Sequence, residues 1–245
     1  MADSDQQRTE NELKRLRHAL DASDRAFDEF VSMAAHNLRE SLRDMTSYSQ
    51  LMAETFAGPL APDAAEFLRR IRSGAERMQS LLTDMVDYAA VGAREPESSE
   101  VDMGAAFRQA LLLTDSWIME RSAVVTCEPL PRVCGDVEAL TKVVHHMIRN
   151  AVEYCDALSP RIHISARRVN GDWVFAVKDN GPGIEPEFQG RLFQVFKRLH
   201  GNEHPGNGLG LAFCKKAIER QGGRVWMESR PGAGSTFYFS LPPAD

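Results

Sequence analysis

No proline precedes Pro59, and apolar residues recur at steps of three and four over most of that stretch: Leu13, Leu16, Leu20, Phe27, Val31, Ala34, Leu38, Leu42 and Met45. Only the polar pair Ser23 and Asp24 interrupts the seam. A spacing of about 3.5 residues between stripe positions is helical. It predicts one helix from about Asn11 to about Thr55, far longer than the usual globular helix. Such a helix is rarely stable alone and needs a partner along most of its length.

The partner follows in sequence. Ala57-Gly58-Pro59-Leu60-Ala61-Pro62-Asp63 breaks the first helix, and a second seam begins at Ala64, Phe67, Leu68, Ile71, Ala75, Met78, Leu82, Met85 and Tyr88. Two antiparallel helices joined by a short loop make a hairpin. Each stripe is narrow, so doubling the hairpin into a dimeric four-helix bundle buries both stripes better than one hairpin folded onto its own chain. A homodimer is therefore expected.

Val91–Glu100 is charged and carries Gly, Pro and Ser, as a linker does. Helical stretches near Met103–Glu120 and Val137–Tyr154 then alternate with strand-like segments at Ala123–Thr126, Ile162–Val169, Trp173–Lys178, Arg224–Glu228 and Thr236–Leu241. The expected class is α+β: a helical domain over 1–92, a linker over 93–100, and an α/β sandwich over 101–245 with helices on one sheet face.

Composition narrows the function. Hydrophobic residues make up 43% and charged residues 26%, which excludes disorder as the main state. The net charge of −6, with cations scattered, disfavours general binding to nucleic acid. The polar, acidic start is unlike a secretory signal, and no apolar run is long enough to cross a bilayer. A soluble, cytoplasmic protein without membrane contact is expected. Cys127, Cys134, Cys155 and Cys214 match no zinc or redox spacing and read as four buried thiols.

Three features of the second half carry chemistry. Asp179-Asn180-Gly181-Pro182-Gly183-Ile184 follows an apolar strand, where glycines allow close approach of a ligand and a carboxylate can accept from an exocyclic amine. Alone it is also an ordinary turn. Gly206-Asn207-Gly208-Leu209-Gly210-Leu211 opens a helical stretch running to about Gln221, which presents bare N–H groups to an anion. It lacks the Gly-Lys-Ser/Thr ending of a Walker loop. Asn150 lies beside the apolar stripe Val137, Leu140, Val144, Met147 and Ala151, with Tyr154 one turn on, and its amide oxygen suits Mg²⁺.

In this order and spacing the three resemble the Bergerat-type ATP-binding fold of histidine kinases. Phe193, Phe196 and the closing Pro231-Gly232-Ala233-Gly234-Ser235-Thr236-Phe237 belong to the same resemblance. Phe196-Lys197-Arg198-Leu199-His200 and the run Cys214–Gly223 look most like the phytochrome-related branch. The resemblance implies that Asp179 reads the adenine amine, Asn150 holds Mg²⁺, and Gly181 and Gly183 line the base pocket. It implies further that Gly208 and Gly210 wrap the phosphates, with Gly206, Leu209 and Tyr154 also among the nucleotide-binding residues. Glu187–Asn207 would form a mobile lid, with Lys197 or Arg198 neutralising transferred charge.

The stretch Phe30-Val31-Ser32-Met33-Ala34-Ala35-His36-Asn37-Leu38-Arg39-Glu40 is similar to the phosphoacceptor motif of the same family. His36 falls off the seam, and an exposed neutral imidazole is a competent nucleophile for a γ-phosphoryl group. The residue after the histidine is usually acidic in the family, and here it is Asn37, which cannot act as a base. Glu40, one turn on, could take the proton in its place. Ser41 replaces a common proline, His146 a usual asparagine, and Glu153 a common basic residue. The resemblance thus implies an ATP-dependent protein-histidine kinase that phosphorylates His36 and passes the group to an aspartate of a response regulator receiver domain. A pseudokinase or phosphatase-biased signalling dimer is the alternative.

Overall fold

The computed structural model describes residues 2–55, 62–93, 99–197 and 207–244, and few side chains before Val31. The chain divides into two compact units, Met1–Arg94 and Glu95–Asp245. No helix is long and apolar enough to cross a membrane among the described residues.

The first unit is two helices, α1 (Ala2–Thr55) and α2 (Pro62–Ala93), packed against each other. Absence of proline and glycine lets α1 run nine residues beyond the expected start at Asn11, back to Ala2. The core of the hairpin is small: Ala35, Leu42, Ala75 and Leu82 are buried, with Val86 packed on them. Ala75 is fully enclosed, so only an alanine-sized side chain fits where the helices approach.

The single seam read from sequence divides here into two faces. Val31, Leu42 and Leu82 turn into the hairpin, whereas Leu38, Met45, Ile71 and Met78 remain 45–52% exposed. Steps of three and four spread around a helix whose true period is 3.6, so one string of apolar positions serves two faces.

The second unit is a two-layer sandwich. Its elements are β1 (Ser99–Asp102), α3 (Met103–Glu120), β2 (Val124–Cys127), β3 (Arg132–Gly135), α4 (Val137–Glu153), β4 (Arg161–Val169), β5 (Asp172–Asp179), α5 (Pro186–Gln189), α6 (Gly210–Arg220), β6 (Arg224–Ser229) and β7 (Ser235–Leu241). The main sheet has the order β2-β4-β5-β7-β6, parallel between β2 and β4 and antiparallel elsewhere. β1 and β3 form a separate antiparallel pair. Ser99 and Glu100, which read as linker, therefore belong to a strand.

Capping explains where the longer helices begin. Asp102 accepts the N–H groups of Gly104 and Ala105, and Asp136 accepts those of Glu138 and Ala139. α3 packs on α4, and α4 on α6. Under these helices the sheet contributes Ile162, Ile164, Phe175, Val177, Phe237 and Phe239, all buried. Phe175 and Phe239 stack across β5 and β7 with centroids 4.6 Å apart. The thiols are not all buried: Cys155 and Cys214 are, Cys134 is half-buried and Cys127 is exposed, and none forms a disulfide. Cys127 lies on β2, an edge strand of the main sheet, where one side has no strand to cover it.

Candidate functional site

An open cleft of about 450 Å³ lies in the second unit, walled by α4, the turn after β5, α5 with the segment behind it, and the start of α6. Of the residues proposed from sequence, Asn150, Tyr154, Asp179, Gly183, Lys197, Gly208 and Gly210 line it. Topology brings them together: β5 ends at the same edge of the sandwich where α6 begins and where the last turns of α4 lie.

Asp179 is the last residue of β5 and is 9% exposed. Its Oδ1 accepts two backbone N–H groups, from Gly181 at 2.9 Å and Ser235 at 3.0 Å. Both bonds converge on one oxygen, so the other keeps its capacity to accept from a ligand. Burial pushes the carboxyl above the ordinary carboxylate range, and the two N–H groups hold it part of the way down. Asn180 is a structural residue: its Oδ1 accepts the Arg161 N–H at 2.6 Å and the Cys155 thiol at 3.5 Å.

Two glycine turns interlock behind Asp179. Gly183 has φ +74°, and a Cβ there would collide with the Arg230 carbonyl; Gly234 has φ +81°, and a Cβ there would collide with the Asp179 carbonyl. Gly232 donates to the Pro182 carbonyl at 2.6 Å, and Ser229 Oγ joins the turns by accepting the Ile184 N–H and donating to the Gly234 carbonyl. Gly181 does not line the cleft. It braces Asp179 from behind through its N–H.

At the other end, α6 starts at Gly210 without a side-chain cap, unlike α3 and α4. Uncapped N–H groups and the positive end of the helix dipole suit an anion. Gly208, at φ +71°, fits closely against the backbone of Phe196 and Lys197, and the Phe196 N–H donates to its carbonyl at 3.1 Å. Phe196 itself takes φ 60°, a conformation that costs a bulky residue about 1–2 kcal/mol. Leu209 corrects the sequence reading. It is 2% exposed and outside the cleft, because the residue between two open glycines turns into the core. Arg198 and Gly206 lie outside the described residues. The first part of the expected lid contains α5, and Phe188 and Leu192 line the cleft from it.

α4 supplies the remaining wall. His146, Arg149, Asn150, Glu153 and Tyr154 face the cleft from successive turns, and Tyr154 caps the helix with its N–H on the Asn150 carbonyl at 3.1 Å. His146 is buried, and its Nδ1 is 3.1 Å from where a Cβ on Gly210 would sit. A side chain at 210 would press on this ring, which would have to give by a few tenths of an ångström. Glu153 is not a lone carboxylate at the cleft, since Arg149 Nε lies 3.8 Å from its Oε2. Sequence alone did not single out Arg149. The helical step from Arg149 to Glu153 was a visible signal for the pair.

On the first unit, His36, Asn37 and Glu40 are all exposed on α1. His36 and Glu40 are one turn apart on this exposed surface.

Residues 28–94 match the family described as His Kinase A (phospho-acceptor) domain, and residues 135–245 match the histidine kinase-, DNA gyrase B-, and HSP90-like ATPase family. The chain is 37% identical over 236 residues to cyanobacterial phytochrome A of Nostoc sp., covering 96% of this chain and 31% of that protein. It is equally similar, 37% over 236 residues, to phytochrome-like protein Cph1 of Synechocystis sp., covering 96% of this chain and 32% of that one. The chain thus spans about a third of the length of these curated relatives. Two solved structures share the fold. Full-length ShkA in complex with AMPPNP superposes with TM-score 0.67 at 24% identity, over 87% of this chain and 45% of that chain. Histidine kinase ThkA in complex with response regulator TrrA superposes with TM-score 0.60 at 21% identity, over 88% and 61%. An acceptor-type hairpin followed by an ATPase-type sandwich, in one chain and in this order, makes it a member of the two-component sensor histidine kinase family.

Proposed function

We propose that this chain is an ATP-dependent protein-histidine kinase that phosphorylates its own His36 and passes the group to an aspartate of a response regulator receiver domain. One observation carries the reading. The same chain holds an exposed histidine on an acceptor-type hairpin and a cleft with a buried carboxylate at one end and an uncapped, glycine-opened helix at the other.

In this reading Asp179 accepts the adenine amine, Gly181 holds that carboxylate from behind, Gly183 keeps the base pocket open, and Phe188, Leu192 and Phe237 give it apolar walls. The phosphates lie along Gly206, Gly208 and Gly210, with Lys197 and Arg198 supplying charge and Tyr154 closing the α4 side. No group of three or more His, Cys, Asp or Glu side chains is placed to hold a metal among the described residues. A cation here would therefore rely on the Asn150 amide oxygen together with phosphate and water oxygens, which is the donor set Mg²⁺ prefers. Mg²⁺ would neutralise charge on the bridging phosphates when bound.

The transfer balances simply. A neutral His36 ring nitrogen gives its electron pair to the γ-phosphorus, an N–P bond forms as the β–γ bridging P–O bond breaks, and ADP departs. The ring then loses the proton of its other nitrogen, for which Glu40 is the nearest candidate acceptor on α1. The protein acts as a homodimer, because Leu38, Met45, Ile71 and Met78 leave the hairpin with an uncovered apolar face. We place it in the cytoplasm, where ATP and response regulators are found.

The test is direct. The full chain incubated with radiolabelled ATP and Mg²⁺ should gain acid-labile, base-stable label, and His36→Gln should gain none. Acid-stable label, or label that persists in the variant, would overturn the assignment.

A further inference from the structure

The charge around the cleft is unexpected for a site that takes a polyanion. Among the described lining residues, Arg149 and Lys197 are the cations, against the carboxylates of Glu153, Asp156, Asp179 and Glu185. Lys197 sits on the segment before the glycine loop. Arg149 sits on α4, one residue before Asn150, where the helix packs against α6.

Arg149 is also nearly enclosed. Its side chain is 13% exposed and that of Glu153 is 10% exposed, with Nε 3.8 Å from Oε2. Removing an ion pair from water is rarely favourable for stability alone, so such a pair at a cleft wall calls for another role. A carboxylate that engages Nε fixes the plane of the guanidinium, whose donors form a rigid fork matched to phosphate oxygens. The group also acts toward α6: its charge offsets part of the effect of burial on the Cys214 thiol, one turn into that helix from Gly210. Arg149 thus lines the same cleft as Asn150 and Gly210, and its charge is felt one turn into α6.

We propose that Arg149 is a phosphate-binding residue of this cleft, and that Glu153 is its positioning residue, holding the guanidinium toward the start of α6. The carboxylate at 153 is then an aid to phosphate binding rather than an obstacle to it. This rests on the reading of the cleft as a nucleotide site.

The experiment compares ATP with adenosine, which has the base and sugar but no phosphate, by calorimetric titration of the full chain. Arg149→Ala would remove the cation beside the enclosed Glu153 and could unfold the site, so the main variant is Arg149→Met with Glu153→Gln, neutral at both positions. Its affinity for ATP should fall by about tenfold or more, the scale of a lost charge-assisted bond, while its affinity for adenosine stays within about twofold. A second variant, Arg149→Met with Glu153→Lys, restores a cation one turn along the same wall and should recover most of the ATP affinity. A purely structural role would weaken both ligands together and would not be rescued by moving the charge. An unchanged ratio of ATP to adenosine affinity in the neutral variant overturns the proposal. Failure of the unmodified chain to bind ATP at all overturns the nucleotide reading instead, and this proposal with it.

Discussion

Ser235 donates its backbone N–H to Oδ1 of Asp179 at 3.0 Å, joining two residues 56 positions apart and sharing the oxygen already held by Gly181. The carboxylate is therefore held in place by backbone from both glycine turns. Asn at this position keeps an acceptor oxygen of the same shape for these two donors. It loses the charge that would meet the adenine amine.

Asp179→Asn should accordingly separate binding from folding. The folded carboxyl titrates above its unfolded value, so its contribution to stability is full below the ordinary Asp range and is lost as pH rises through the raised value. At neutral pH the ionised group is thus a cost to the nucleotide-free domain. The variant should melt no lower than the unmodified chain by calorimetry at pH 7, while its affinity for ATP falls by about tenfold or more. ATP affinity of the unmodified chain should also weaken as pH drops through the raised value. A variant that melts lower but binds ATP normally would show the carboxylate to be structural.

Gly183 and Gly171 both take positive φ, but only Gly183 is enclosed: a Cβ there meets the Arg230 carbonyl, whereas nothing lies within 4 Å at Gly171. Gly171→Ala should cost only backbone strain, about 1–2 kcal/mol, or a few degrees in Tm for a domain of this size. Gly183→Ala should lower Tm further and weaken ATP binding, because the turn carrying the base pocket must move. Equal melting of the two variants would contradict the packing described.

α3 and α4 were legible in sequence because each carries its own signals, an Asp cap and a buried stripe such as Leu140, Val144, Met147 and Ala151 on α4. β1 and β3 were not, since β1 lies in a charged, serine-containing stretch that reads as linker and β3 lies between Pro131 and Asp136, where turn residues mask it. The cleft was legible through glycine and Asp179, whose chemistry is local. The inward turn of Leu209 was not, because side-chain direction depends on packing against other elements. Similarly, one apolar string on α1 concealed the division between the face inside the hairpin and the face outside it.

The outer face supports a prediction about assembly. The fragment 1–91 contains Leu38, Met45, Ile71 and Met78 together with the hairpin core, and light scattering should find it a dimer at micromolar concentration. A helical monomer would place the partner of this face elsewhere in the protein.

Asn37 leads to a kinetic prediction. If proton removal from His36 limits transfer, Asn37→Glu should raise the single-turnover rate more than tenfold, since general-base catalysis is typically worth about 100- to 10,000-fold. If Glu40 already serves, Asn37→Glu should change little and Glu40→Gln should remove most of the rate. No response in either variant would mean that neither side chain takes the proton.

The contact between Phe196 and Gly208 has a mechanical consequence. Their hydrogen bond holds the two ends of the intervening stretch together, so the cost of lengthening it is mainly that of closing a larger ring. That cost grows only logarithmically, by about 0.6 kcal/mol for each doubling of length. The bond therefore acts as a clasp: the sandwich meets this connection at the same two points, whatever length of chain is closed between them.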